Sequence, residues 1–269
     1  MSLYIEAHGA GKHIAVSPDL ALIHGWGMHG GVWQPLVKKL SEHFNLHVVD
    51  LPGMGFSAPI EPGHLHAVAA SVAEALPDNV DICGWSLGGQ VAMRIALLQP
   101  DRVRRLVLVG ATPRFVNGPP DLVDAEPWQD GIDAAVFQQF ADQVSHDYQN
   151  TLIRFFTLQC MGAADARSTI KKLRASFAER PVPALDSLQK TLRILLDSDL
   201  RPEIKNIRKP VLLVHGDHDT LAPVQAAHWL ARHLPFGRLS LIAGASHAPF
   251  LSHPEQFVKA LVQFLEPVV

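Results

Sequence analysis

The sequence predicts an α/β fold with a mostly parallel sheet, helices on both faces and a helical insertion. Three observations predict it. Short apolar runs of strand length alternate with helical periodicity in both the first and the last part of the chain, and such alternation builds a parallel sheet. From about Pro113 to about Leu196 the alternation lapses, leaving helical patterns punctuated by prolines. Within the first alternating part, Gly84-x-Ser86-x-Gly88 sits between an apolar strand and a helix. The expected division is a first core part over residues 1–112, a cap insertion over 113–196 and a second core part over 197–269.

The elements follow in order. Leu3 to Ala7 and His13 to Ser17 read as a short hairpin turning at Gly9, Ala10 and Gly11. Leu20 to Ile23 is a strand buried on both faces, ending at His24-Gly25-Trp26-Gly27. Val32 to Leu40 has helical spacing. Leu46 to Val49 is a strand that ends at Asp50-Leu51-Pro52-Gly53-Met54-Gly55-Phe56-Ser57. A helix over His66 to Leu76 stops at Pro77, a strand covers Val80 to Cys83, a helix covers Val91 to Leu98, and Arg105 to Val109 is the next strand. In the insertion Asp133 to Val144, Tyr148 to Leu158 and Ala166 to Phe177 are helical. Strands at Val211 to Val214 and Leu239 to Ile242 then alternate with helices at Val224 to Leu234 and Glu255 to Leu265.

Composition narrows the function classes. At 269 residues and 48% apolar content the chain can bury a full core as one large domain or one domain with an insertion. A formal charge of −3 gives no reason to expect nucleic acid or an anionic membrane as partner. Cys83 and Cys160 lie far apart and read as buried reduced thiols, which fits a cytoplasmic protein. Neither a signal peptide nor an apolar run of membrane-spanning length is visible.

The chemistry is read from the loops at the carboxyl ends of the strands, where ligands sit in such sheets. Gly84-x-Ser86-x-Gly88 in a strand–turn–helix context fits a nucleophile elbow. The turn holds Ser86 in a strained conformation at a helix N-terminus, which suits a developing oxyanion. The plainer reading makes Ser86 a helix cap among packing glycines. A serine nucleophile needs a base oriented by a carboxylate. In the loop His215 to Pro223, Asp219 is the expected orienter and Asp217 its rival. His215, Asp217, His218 and Asp219 could also form a metal cluster, but no matching ligand group stands out elsewhere, so no metal is expected. In the loop Gly244 to Phe250, His247 is the expected base. His253, before Pro254 at a helix start, reads as a cap, and His228 and His233 as surface or packing residues. The oxyanion donors are expected to be the backbone N–H groups of Leu87, after the nucleophile, and Trp26, after the first buried strand. The Trp26 ring could line the cleft as well. His24 is expected to order its loop.

The ordered set His24-Gly25-Trp26-Gly27, Asp50-Leu51-Pro52-Gly53-x-Gly55-x-Ser57, Gly84-Trp85-Ser86-Leu87-Gly88-Gly89, Gly216-x-x-Asp219 and Gly244-x-x-His247 resembles the α/β-hydrolase superfamily over nearly the whole chain. Within it, Trp26, the elbow, Arg154-Phe155-Phe156-Thr157-Leu158-Gln159-Cys160-Met161-Gly162 and His247-Ala248-Pro249-Phe250-Leu251-Ser252-His253-Pro254 resemble the pimeloyl-[acyl-carrier protein] methyl ester esterases of biotin synthesis. The resemblance implies an α/β-hydrolase fold with a helical cap and a Ser86, Asp219, His247 triad. It also implies substrate contacts at Trp26, Ser86, Leu87, Phe155, Phe156, Thr157, Leu158, Gln159 and His247. No cofactor is needed. The same triad serves general short-chain carboxylesterases and carbon–carbon bond hydrolases, and the scaffold can serve a non-catalytic ligand receptor.

Charge in the insertion is segregated. Acidic residues dominate from Asp121 to Asp147, whereas Arg154, Arg167, Lys171, Lys172, Arg174 and Arg180 outnumber Asp165 and Glu179 from Arg154 to Arg180. A basic face at Arg154, Arg167, Lys171, Lys172 and Arg174 would suit an acidic acyl-carrier protein. A solvated amphipathic surface is the plainer reading. A monomer is expected.

Overall fold

The computed structural model describes residues 3–9, 17–118, 127–163 and 166–266. Seven strands form one sheet in the order β1 (Ile5–His8), β3 (Asn45–Val49), β2 (Asp19–Ile23), β4 (Val80–Trp85), β5 (Val103–Val109), β6 (Val211–Gly216) and β7 (Gly237–Ile242). All neighbours pair in parallel except β1, which runs antiparallel along β3 with Ile5 opposite Val49. The expected return strand of an N-terminal hairpin lies, apart from Ser17, outside the described residues.

Alternate residues of each strand enter two separate cores, one on each face. Ala21, Ile23, Ile82, Leu106, Leu108 and Leu213 join one core with α2 (Leu65–Ala75) and α3 (Leu87–Leu98). Leu20, Leu22, Cys83, Val107, Val109 and Val214 join the other with α1 (Gln34–Leu40). Burial on both faces is the reason these strands read as unbroken apolar runs. The predicted helix at Val32 begins at Gln34, because Gly30–Trp33 form a 3-10 turn capped by the side chain of His29. Both cysteines are buried and free. Burial pushes the Cys160 thiol up to about 12, and Cys83 is raised too.

Between β5 and β6 stand four helices among the described residues: α4 (Ala134–His146), α5 (Tyr148–Leu158), α6 (Ala166–Phe177) and α7 (Leu185–Asp197). The first three were expected and α7 was not. Its signal was present, since Leu185, Leu188, Leu192 and Leu195 recur at helical spacing. The two ends of this insertion meet: Leu200 N–H donates to Pro113 O at 2.9 Å, and Arg114 pairs with Asp199 at 3.0 Å. After β6 come α8 (Val224–His233), the short α9 (Pro249–Ser252) and α10 (Pro254–Leu265). No helix among the described residues is long and apolar enough to cross a membrane.

The parallel registers align the carboxyl ends of the strands. Ile23 lies opposite Gly84, Trp85 opposite Val109, Val109 opposite Val214 and Gly216 opposite Ile242. The loops that carry Trp26, Ser86, Asp219 and His247 therefore leave the sheet at one rim.

Candidate active site

Ser86 occupies the turn between β4 and α3 at φ 55° and ψ −115°, in the region that L-residues rarely adopt. The turn is sharp because its glycines allow close approach. A Cβ on Gly84 would collide with the carbonyl of Gly88, and one on Gly88 would come within 2.6 Å of His24 O. Ser86 N–H donates to Val109 O at 2.9 Å, which locks the elbow to the end of β5. Leu87 is the first residue of α3, so its N–H has no intrahelical acceptor. The neighbouring loop runs directly over the serine: a Cβ on Gly25 would lie 3.1 Å from Ser86 Cβ.

His247 Nδ1 lies 2.8 Å from Asp219 Oδ2, and both side chains are fully buried. The other carboxylate oxygen of Asp219 accepts the N–H groups of Leu221 at 2.9 Å and Ala222 at 2.8 Å. Burial raises the pKa of this carboxyl, but the facing His247 ring, its hydrogen bond, His215 and the Ala222 N–H outweigh burial and hold it below the usual carboxylate range. Gly110, at the end of β5, forms the floor: a Cβ there would sit 3.1 Å from His247 Nδ1 and 3.3 Å from Asp219 Oδ2. His247 Nε2 is buried without a hydrogen-bond partner, the Ser86 hydroxyl included. Such bonds are often long in unliganded sites and tighten around substrate.

The rival residues go elsewhere. Asp217 is exposed, and its carboxylate accepts Gly244 N–H at 2.7 Å as a tie between loops. His218 is exposed and its Nδ1 meets Gly162 O at 2.8 Å. His215 is buried and its Nε2 meets Ala222 O at 2.7 Å. His215 Nε2 also lies 3.5 Å from Asp219 Oδ2, whereas Asp217 and His218 bond to other loops, and among the described residues no group of three or more His, Cys, Asp or Glu is disposed to hold a metal ion. His253 stands at the N-cap position of α10 without a side-chain capping bond, its Nδ1 instead 2.9 Å from Ser252 Oγ. His24 braces its loop: Nδ1 meets Gly25 O at 2.8 Å and Nε2 accepts Leu51 N–H at 2.9 Å.

The insertion contributes an apolar cavity of about 180 Å³ beside this rim. Trp26, Phe137, Phe140, Phe155, Leu192 and Leu195 are among its walls. The Trp26 ring meets Phe155 edge-on at 5.1 Å and donates its indole N–H to Leu188 O at 3.0 Å. Leu158 lines the same cavity from an exposed position.

Other expected contacts do not converge there. Phe156, one helical step of about 100° from Phe155, is fully buried against Phe177, with ring centroids 5.2 Å apart. Thr157 is exposed. Gln159 is buried; its carbonyl accepts His247 N–H at 3.1 Å, and its side-chain Oε1 has no partner. Of the basic residues, Arg154, Arg167, Lys171 and Arg174 are exposed, whereas Lys172 turns inward to Leu251 O at 2.7 Å. Arg180 also turns inward, pairing with Asp50 and Glu6 at 2.6 Å each.

Sequence reasoning missed Trp85, whose indole N–H donates to His247 O at 2.8 Å. Its place next to Ser86 in the elbow was the available signal.

The family model described as alpha/beta hydrolase fold matches residues 20–254. Two pimeloyl-[acyl-carrier protein] methyl ester esterases are similar over nearly their whole length. That of Nitrosomonas europaea is 44% identical over 96% of this chain and 97% of its own. That of Nitrosospira multiformis is 40% identical over 98% of each chain. Among solved structures, an esterase from Exiguobacterium antarcticum superposes with a TM-score of 0.84 at 22% identity, covering 97% of this chain and 94% of its own. A bromoperoxidase from Bacillus anthracis gives 0.85 at 23%, covering 98% and 95%. These two likenesses speak to the fold alone. The chain belongs to the α/β-hydrolase fold family and, within it, to the family of the pimeloyl-[acyl-carrier protein] methyl ester esterases.

Proposed function

We propose that this protein is a serine carboxylesterase that hydrolyses the methyl ester of pimeloyl-acyl-carrier protein, releasing methanol and the free acid in biotin synthesis. The observation that carries the chemistry is the buried His247–Asp219 pair beside a serine held at positive φ. In this reading Ser86 Oγ attacks the ester carbonyl while His247 Nε2 takes its proton. The N–H groups of Trp26 and Leu87 stabilise the tetrahedral oxyanion. The carbon–oxygen bond to the methyl group's oxygen breaks, and methanol leaves with the proton from His247. Water, deprotonated by the same ring, then cleaves the acyl-enzyme and restores the serine. The thioester at the other end of the chain stays intact.

The helices between β5 and β6 act as a cap over residues 113–196. The apolar cavity supports a linear methylene chain as its occupant, at about 0.8 kcal/mol per buried methylene. Phe155 and Leu158 contact that chain and Gln159 offers a polar group near its end, while Phe156 packs the helix against Phe177. The acidic carrier protein remains outside, against Arg154, Arg167, Lys171 and Arg174. The same reading has the enzyme monomeric and cytoplasmic.

Methyl pimeloyl-carrier protein incubated with the wild type and with Ser86→Ala tests the reading. Methanol should appear only with the wild type, and equal release from both would overturn it. Equal kcat/KM on carrier-bound and free short esters would favour a general carboxylesterase.

A further inference from the structure

One turn of the cap touches both catalytic loops. Gln159, at the C-terminal end of α5, accepts the backbone N–H of His247 at 3.1 Å. Gly162, three residues on, accepts from Nδ1 of His218 at 2.8 Å. His218 is the chain neighbour of Asp219, and its own N–H donates to Ala245 O at 3.0 Å in the His247 loop. The His218 residue thus joins three segments: the acid loop to which it belongs, the base loop through its backbone, and the cap turn through its ring. Its exposure means that burial is not what holds it there. Gly162 permits the approach. It sits at φ +83°, and a Cβ would lie 3.3 Å from His218 O and 3.4 Å from its Cβ. The Gln159 carbonyl, at the end of α5, lacks an intrahelical donor and is free to accept its bond.

The geometry points to His218 as a positioning residue that makes the α5 turn a shared brace for the acid and the base. This inference rests on the Ser86, Asp219, His247 reading. The helix that walls the acyl cavity through Phe155 and Leu158 also sets where Asp219 stands relative to His247. A chain that fills the cavity seats α5, and α5 seats the two loops. An acyl group too short to reach Phe155 therefore turns over more slowly even at saturation, so acyl length is read in kcat as well as in KM.

The experiment compares wild type, Ser86→Ala, His218→Ala and His218→Asn on pimeloyl and acetyl methyl esters. An Asn amide N–H can take the place of the ring Nδ1–H. His218→Ala should lower kcat for the pimeloyl ester about 10-fold to 100-fold, the scale of a small misplacement of catalytic groups. KM should change less than about twofold, the melting temperature should move by no more than about 2 °C, and the kcat advantage of pimeloyl over acetyl should shrink. His218→Asn should recover most of the kcat. If Ser86→Ala is inactive but His218→Ala keeps its kcat, the brace is wrong and the triad stands. If both His218 variants lose kcat together with melting temperature, the role is structural and the inference fails. If Ser86→Ala keeps its activity, both fall.

Discussion

Trp85 donates its indole N–H to the carbonyl of His247 at 2.8 Å, so the residue that precedes Ser86, the proposed nucleophile, holds the backbone of His247, the proposed base. The opposite side of the same residue, its N–H, is held by Gln159 at 3.1 Å. Trp85→Phe removes the donor and keeps an aromatic ring against Phe250, whose centroid lies 5.1 Å away. The orphaned buried carbonyl costs about 1–3 kcal/mol. The variant should melt earlier and lose kcat more than KM, as thermal unfolding and steady-state kinetics would record. An unchanged kcat would show that the cap bond alone holds His247.

Asp219 and Asp217 are two residues apart, yet their environments oppose each other. Asp219 is buried with four polar neighbours, while Asp217 is exposed and ties one loop to Gly244. Asp219→Asn should lower kcat by roughly 10³–10⁴, because the amide cannot hold the same His247 tautomer. Asp217→Asn should lower it only a few-fold. A deeper loss from Asp217→Asn than from Asp219→Asn would reverse the assignment. The depressed Asp219 carboxyl also stabilises the fold above the ordinary carboxylate pKa of about 3.9, and that contribution drains away as pH falls below it.

The sheet, the elbow and the loops that carry Asp219 and His247 were legible because each is a local pattern: an apolar run, a glycine spacing, a residue at a strand end. The insertion was legible as helices but not as a surface. Phe155 and Phe156 are neighbours in sequence and read alike. Only the docking of α5 decides that the first meets Trp26 and the second meets Phe177. Lys171 and Lys172 are likewise indistinguishable as letters, yet one is exposed and the other caps a carbonyl of α9. The span Leu185–Asp197 repeats its leucines at helical spacing, but the prolines at 181 and 183 just before it read as a connection. Local periodicity names an element and its buried stripe. What the stripe packs against is a tertiary property.

The ring of His24 is held by Gly25 and Leu51 in a neutral form, and burial lowers its pKa to about 4. The unfolded ring titrates near 6.5. Between these values the unfolded chain binds the extra proton, so stability is unaffected above about pH 6.5 and declines as pH falls toward 4, by about 1 kcal/mol per pH unit near pH 5. His29 and His215 are also lowered by burial and add to the slope in the same direction. Urea unfolding at several pH values should show this fall. His24→Gln should be less stable at pH 7 but should have a slope smaller by nearly one proton. An unchanged slope would mean that His24 is not the group being titrated.

Arg167, Lys171 and Arg174 recur at four- and three-residue intervals on α6 and are exposed, while Thr169, Leu173 and Ser176 on the same helix are buried. The cations therefore share one outward stripe. If an acidic carrier protein docks on that stripe, Arg167→Glu with Lys171→Glu should lower kcat/KM for carrier-bound substrate at low salt by about tenfold or more. Free methyl pimelate esters should react as before, because neither residue lines the apolar cavity proposed to hold the acyl chain. Added salt should weaken the wild type toward the variant, since screening removes the attraction that the mutations reverse. Lys172→Gln is the control. It loses the 2.7 Å bond to Leu251 O, so it should lower melting temperature while leaving the preference for carrier-bound over free ester intact. Equal losses on both substrates from the α6 double variant would move the docking face elsewhere on the protein.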